Sequence, residues 1–256
     1  MSAIDGMHTD RARCVLAPNP SPMRLDGTNT WVLREPGAER SIVVDPGPEH
    51  EEHLRRVAAE ARHVAVVLLT HGHHDHAEGA RRFVELAADG SRPVPIRALD
   101  PTLRLGEEGL GEGDVIEVDG LEVHVMETPG HTHDSLCFWL PGDRALLTGD
   151  TVLGYGSTIV DRLGDYLTSL DRLRAMAEGT SVILPGHGPR LDDPVGALDH
   201  YIAHRRERLR QVEDALAAGA RTAREVVERA YADVDRSLWQ VAEWAVQAQL
   251  DYLRGI

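Results

Sequence analysis

Four histidines and an aspartate fall within six positions, at His71, His73, His74, Asp75 and His76. Neutral imidazole and carboxylate are, after thiolate, the usual ligands of zinc, at roughly 2.0–2.2 Å. A lone histidine on a surface turn carries no such implication. Four so close together, with a carboxylate among them, read as a metal-binding turn. Residues 64–69 before the turn are a continuous apolar run, the pattern of a fully buried strand. Residues 77–88 after it place Ala80, Phe83, Val84 and Ala87 on one side of a helix.

Three more stretches end an apolar run with a candidate ligand. His131 follows residues 121–127, Asp150 follows 145–147, and His187 follows 181–184. Gly130, Gly149 and Gly186 flank them, as expected where backbone must approach a metal centre closely. With His71, His73, Asp75 and His76 these make seven candidate ligands, enough for two metals. Asp45, ahead of Pro46, ends another apolar strand. It reads either as a turn former or as an acceptor that fixes the tautomer of a ligand imidazole. His74 lies inside the first cluster and His133 two residues beyond His131, where Asp134 and Ser135 read as bracing the loop. His8, His50, His53, His63, His124, His200 and His204 read as structural, on polar faces or tails.

The elements that must hold these residues follow from periodicity. Residues 1–29 read as loop, with Pro18, Pro20 and Pro22 breaking regular structure. Strands are expected at 30–34, 41–44, 94–99, 115–118, 121–127, 136–140, 145–147 and 181–184, and helices at 49–63 and 166–177. Asp119-Gly120 marks a hairpin. Hairpins interspersed with helices imply a layered α/β sandwich and not a doubly wound parallel sheet. Residues 195–256 read as three helical segments split at Gly219 and near Asp233, with a capping box at Thr222 and Glu225. The last segment carries an apolar stripe (Leu238, Trp239, Val241, Ala242, Ala245, Val246, Gln249, Tyr252) broader than one face needs, read as packing onto the main body. The expected division is a catalytic domain at 1–193 and a helical subdomain at 194–256.

Composition narrows the function. The net charge of −15 argues against a duplex DNA-binding surface. All 27 basic residues are arginine, which excludes a lysine nucleophile or Schiff base. Residues 1–13 carry charges and no continuous apolar stretch, so no signal peptide is expected, and no run approaches the ~20 apolar residues of a membrane span. Cys14 and Cys137, far apart, read as reduced thiols of a cytoplasmic protein. Arg205, Arg206, Arg208 and Arg210 read as a solvated helix face paired with Glu207, Glu213 and Asp214, or as contacts to an anionic substrate.

In its ordered motifs the sequence resembles the metallo-β-lactamase superfamily. His71, His73, Asp75 and His76 form the His-x-His-x-Asp-His motif; His131, Asp150 and His187 follow in order, and Asp45 matches the first motif. The resemblance covers roughly residues 25–190 and implies an αββα sandwich. It also implies that His71, His73 and His131 hold one zinc, Asp75, His76 and His187 a second, and that Asp150 bridges them. A shared hydroxide would be the nucleophile, and Asp75 would help move a proton. Histidine at position 73, where the flavodiiron branch has glutamate, favours zinc over iron. His76, and the absence of cysteine at a ligand position, argue against antibiotic hydrolysis.

The tail after His187, with Asn19-Pro20-Ser21-Pro22-Met23 and Gly27-Thr28-Asn29-Thr30, resembles the lactamase-β-like branch that includes metal-dependent endoribonucleases. There the tail is a small winged-helix-like unit, whose wing strands are not expected in the helical residues 195–256. The expected activity is hydrolysis of small-molecule esters or thioesters at a glyoxalase II-type site. A single-strand-specific endoribonuclease, with single-stranded RNA as partner, is the alternative enzyme. A non-catalytic metal or nucleic-acid binding module is the alternative of another class.

Overall fold

The computed structural model describes residues 4–88, 90, 93–231 and 235–255. Two five-stranded mixed sheets face each other. The first has the order β1 (Ala12–Leu16), β2 (Asn29–Leu33), β3 (Arg40–Val44), β4 (His63–Leu68), β5 (Ile96–Arg97). The second runs β10 (Val182–Pro185), β9 (Ala145–Gly149), β8 (Leu136–Leu140), β7 (Leu121–Glu127), β6 (Val115–Val118). The pairs β3–β4, β4–β5 and β9–β10 are parallel and the rest antiparallel. This is the αββα sandwich expected from the sequence.

Alternation along the strands divides the core into layers. Trp31, Leu33, Ile42, Val44 and Leu68 turn inward to meet Val123, Val125, Phe138, Leu147 and Leu184 between the sheets. Val32, Val43 and Val67 turn outward against α1 (Glu51–Ala61) and α3 (Ala80–Ala87). On the other outer face α4 (Leu163–Met176) and α5 (Pro194–Ala217) cover Cys137, Leu146 and Ile183. Both faces of each central strand are therefore buried, which explains their unbroken apolar runs.

Several expectations need correction. Residues 12–16 are not loop: they pair antiparallel with β2 as an edge strand. Cys14 buries into the inter-sheet core and Val15 on the helix side. A five-residue strand buried on both faces shows no period of two, and the prolines after it masked it. The helix expected at 77–88 is two pieces, α2 (His74–Ala77) and α3, because Gly79 packs on backbone. A side chain there would meet the carbonyl oxygens of Pro48 at 2.7 Å and Gly47 at 2.9 Å. β5 shrinks to two residues, and α4 begins at Leu163 instead of 166. His53 does not lie on a polar face: it is 1 % exposed, its Nε2 donates to the Pro46 carbonyl at 3.0 Å, and the Thr30 hydroxyl lies 3.0 Å from the same nitrogen.

Burial pushes His53 down from 6.5 to about 4, so the folded state resists its protonation. Its contribution is present above about pH 6.5 and is lost as pH falls toward 4, on the order of 3 kcal/mol in full. Urea unfolding between pH 6.5 and 4.5 should show this slope, and His53→Gln should flatten it relative to wild type. Parallel slopes would assign the acid sensitivity elsewhere.

After β10 the described residues hold only helices: α5, α6 (Ala223–Ala230) and α7 (Trp239–Arg254). The α5–α6 turn lies at Gly219, with φ +96°, and the Thr222–Glu225 capping box is formed. The break expected near Asp233 lies outside the described residues. Val212, Ala215, Val226, Val227, Trp239, Ala242, Val246 and Leu250 enclose an apolar cluster of their own. Among the described residues no helix is long and apolar enough to cross a membrane.

Candidate metal centre

The candidate ligands gather at one rim of the sandwich, where strands end. β3 leads into Asp45, β4 into Thr70 and His71, β7 into His131, β9 into Asp150 and β10 into His187. His73 caps α2, whose first turn carries Asp75 and His76. The rim is stitched across the two sheets: Leu136 N donates to Thr70 O at 2.8 Å and Asn29 N to Gly186 O at 2.7 Å. The Asn29 amide reaches the carbonyls of Pro185 at 3.0 Å and Gly188 at 2.8 Å.

Two groups of donor atoms result, His71/His73/His131/Asp150 and Asp75/His76/His187, the atoms of each lying within 4.8 Å of one another. Asp150 lies between them. Its Oδ2 is 3.7 Å from His131 Nε2 and 3.3 Å from His187 Nε2, and its Oδ1 is 3.4 Å from His76 Nε2. All seven sequence candidates are thus brought together. His74 and His133 are exposed and outside the cluster. Thr132, Asp134 and Ser135 brace the His131 loop: the Thr132 hydroxyl lies 2.7 Å from Asp134 Oδ1 and 2.8 Å from Ser135 Oγ.

The surroundings fix the imidazole tautomers. His131 Nδ1 donates to the Ile159 carbonyl at 2.7 Å and His187 Nδ1 to the Gly27 carbonyl at 2.9 Å. His76 Nδ1 donates to Asp45 Oδ2 at 2.8 Å. The Thr70 hydroxyl donates to Asp45 Oδ2 at 2.6 Å, so it can only accept from His71 Nδ1 at 2.9 Å. In each ring, when neutral, the other nitrogen faces the centre as a lone pair. His76 Nε2 and His187 Nε2 meet at 3.2 Å. His73 Nδ1 lies between His71 Nε2 at 2.9 Å and His131 Nε2 at 3.1 Å, and one N–H can serve only one of them.

Lone pairs at these separations repel unless a cation lies among them. Tetrahedral zinc at 2.0–2.1 Å from nitrogen sets its ligands about 3.3 Å apart. The buried Asp150 Oδ1 has no hydrogen-bond partner, a second sign that a cation belongs here. The residues fit a metal centre.

Electrostatics agree. Burial alone would raise Asp150, but His187 and His76 hold it well below the usual carboxylate range. Burial opposes charge on His76 and His187, yet Asp150 and the carboxylates beside it win, raising His76 well above an ordinary histidine and His187 to about 9. The carboxylates call for positive charge. His71, pushed well down by burial and by neighbouring imidazoles, stays a neutral donor.

Asp45 also falls near His71 and His76 in a third group. Its oxygens already accept from Thr70 N at 2.8 Å, the Thr70 hydroxyl and His76 Nδ1, so it orients ligands from behind. Its backbone is left-handed, φ +50°, a conformation aspartate tolerates better than most residues. Asp75 is held from the N-terminal loop: Thr28 Oγ1 donates to its Oδ2 at 2.9 Å and Arg24 Nε lies 3.5 Å away. Motif spacing gives no sign of Thr28, Arg24, Ile159 or the Gly27 carbonyl as supports.

Five of the seven (His73, Asp75, His131, Asp150 and His187) floor a cavity of roughly 580 Å³. Met23, Leu25, Leu153 and Ile159 line it beside them, and Leu238, just ahead of α7, with Val241, Trp244 and Ala245 of its first turns, form a further wall. The broad apolar stripe of the last helix thus serves two surfaces. Trp239, Val246 and Leu250 pack into the C-terminal cluster, Leu238, Val241 and Ala245 face the cavity, and Ala242 touches both; Gln249 is buried against Tyr231. The arginine run splits in the same way. Arg205 and Arg208 line the cavity, and Arg206 and Arg210 are exposed, Arg210 paired with Glu207.

Residues 23–187 match the sequence profile of the metallo-beta-lactamase superfamily. The chain belongs to that superfamily. A beta-lactamase-like protein 2 homologue of Caenorhabditis elegans is 35 % identical over 247 residues, covering 93 % of this chain and 80 % of that protein. An atrochrysone carboxyl ACP thioesterase of Aspergillus fumigatus is 36 % identical over 206 residues, 77 % of this chain; the chain spans 62 % of that relative's length. A metallo-beta-lactamase family protein of Thermus thermophilus shares the fold, with a TM-score of 0.79 at 24 % identity, covering 95 % of this chain and 93 % of that one. This metallo-beta-lactamase superfamily hydrolase carries candidate metal-ligand groups at the rim of its sandwich. The superfamily match ends at His187, so α5 to α7, with their wall of the cavity, lie beyond it.

Proposed function

We propose that the protein is a dizinc hydrolase of small-molecule acyl esters, thioesters above all, working in the cytoplasm. The observation that carries this reading is the pocket over the candidate ligands. A single RNA strand calls for a long basic trough with stacking platforms. Here the ligands floor a half-open cavity of roughly 580 Å³, with Arg205 and Arg208 at one place in its lining and leucine, valine, tryptophan and alanine beside them, a largely apolar lining that suits an acyl group. The thioesterase name of the Aspergillus fumigatus relative supports the same chemistry. Buried, unpaired Cys14 and Cys137 suit a reducing compartment.

Five imidazoles and two carboxylates without a thiolate suit zinc. His71, His73 and His131 would hold one ion, Asp75, His76 and His187 the other, with Asp150 between. Bound zinc supplies a Lewis acid for the acyl oxygen and an activated water at neutral pH. Asp75, fixed at the cavity edge by Thr28 and Arg24, would help move a proton from the attacking water to the leaving sulfur or oxygen. Leu153, Ile159 and Met23 shield the acyl group from bulk water, and Arg24 sets a positive charge beside it.

Zinc-loaded protein should turn over a panel of acyl thioesters and leave single-stranded RNA intact. Asp75→Asn should lower thioester kcat by ~10²-fold or more, the usual scale of a lost acid–base group. RNA cleavage without thioester turnover, or full activity in Asp75→Asn, would overturn the reading.

A further inference from the structure

One wall of the cavity is cationic, and acyl hydrolysis alone gives it no task. His204, Arg205 and Arg208, about one turn of α5, all line the cavity. Arg205 is 8 % exposed. Its guanidinium lies 5.1 Å from the Tyr166 ring centroid and donates to the Thr158 carbonyl, yet its buried Nε has no partner. Arg208 lies 4.6 Å from the Tyr231 ring centroid and donates to Gln211 Oε1 at 2.9 Å. Among the described residues neither makes an ion pair, and exposed Asp161, the nearby acid on the same cavity, pairs with neither. Arg11, Arg56, Arg82, Arg174 and Arg224, by contrast, all reach carboxylates.

Burying a guanidinium without an anion is costly, and aromatic faces offset only part of it. Burial and the two guanidinium groups push His204 down to about 4, leaving it neutral beside them. Next to this wall runs the apolar edge of α7, where Trp244 is 59 % exposed.

We infer that this end of the cavity is a subsite for an oxyanion carried by the substrate away from its scissile carbonyl. Arg205 and Arg208 hold the anion, and the chain between lies on Leu238, Val241 and Trp244. The ligand class is an acyl thioester with a remote carboxylate on the acyl chain or a phosphate on the thiol side. Both present the same oxygens to a guanidinium.

The inference rests on the acyl-hydrolase reading for its substrate, so its test has an arm independent of turnover. Zinc-loaded protein is titrated by calorimetry with straight-chain diacids from glutarate to suberate, each against the monoacid of equal length. At the best-fitting length the diacid binds at least tenfold tighter. Arg208→Gln removes that advantage, Arg208→Lys restores part of it, and exposed Arg206→Gln keeps it. Equal affinities at every length, or an advantage untouched in Arg208→Gln, overturn the subsite.

The second arm measures kcat/KM for N-acetylcysteamine and coenzyme A thioesters, each with a neutral or a carboxylate-ended chain. Preference for the carboxylate-ended chain on both thiols places the anion on the acyl group; preference for coenzyme A with either chain places it on the thiol side. No preference in either comparison overturns the subsite and leaves hydrolysis standing. No turnover of any of the four overturns the acyl-hydrolase reading, and the calorimetry then decides the subsite alone.

Discussion

Asp150→Ala is expected to lower kcat/KM on the best thioester by at least ~10³-fold, roughly 4 kcal/mol of transition-state stabilisation. Metal content after desalting, two ions per chain on the proposed dizinc reading, should fall to one or none. The expectation follows from position. Asp150 belongs to the donor group of His71, His73 and His131, yet its oxygens also lie 3.3 Å from His187 Nε2 and 3.4 Å from His76 Nε2. Two cations held by the two donor groups would need an anion between them, and Asp150 is the carboxylate that lies near both groups. Asp150→Asn keeps the shape and removes the charge, so it should lose metal nearly as fully. Two ions retained and less than tenfold loss of activity would remove Asp150 from the bridging role.

Gly186→Ala should be nearly as damaging, although alanine adds one carbon and no charge. That carbon would lie 2.5 Å from Asp150 Oδ1, 2.9 Å from His76 Cε1 and 3.0 Å from the Gly149 carbonyl carbon. The backbone cannot retreat, because Gly186 N donates to Gly149 O at 2.8 Å and its carbonyl accepts from Asn29 N at 2.7 Å. Asp150 and His76 must move instead. The variant should lose metal and ~10²-fold or more in turnover, with stability lowered by about 1–3 kcal/mol. Gly179→Ala, at a position with open space and an ordinary φ, should behave as wild type. Full metal content in a folded Gly186→Ala protein would show that the rim yields more readily than its hydrogen bonds imply.

The frame of the sandwich was legible because its central strands are buried on both sides and so leave unbroken apolar runs. β4 and the turn after it are the clearest case. The rim cluster was legible because its side chains are of unusual type at strand ends. What hid were residues whose partners are backbone or serve two surfaces. The Ile159 and Gly27 carbonyls hold His131 and His187 but have no side-chain signature. His53 looked polar, although it shares the spacing of Val57 and Ala61, at four and eight positions, along the buried face of α1. The arginine run held a readable clue: positions 205 and 208 share one helix face, and 206 and 210 another. The wide stripe of α7 was seen, but its width gave no sign of which residues meet the C-terminal cluster and which an open cavity.

That double use of α7 separates two kinds of change. Trp239, Val246 and Leu250 keep the helical unit folded, while Leu238, Val241 and Trp244 touch the cavity. Mutations along the second line can re-cut the pocket while the first line and the rim of the sandwich keep their packing. Drift in substrate preference among relatives of this chain should therefore concentrate on that edge of the last helix, leaving the ligand turns untouched.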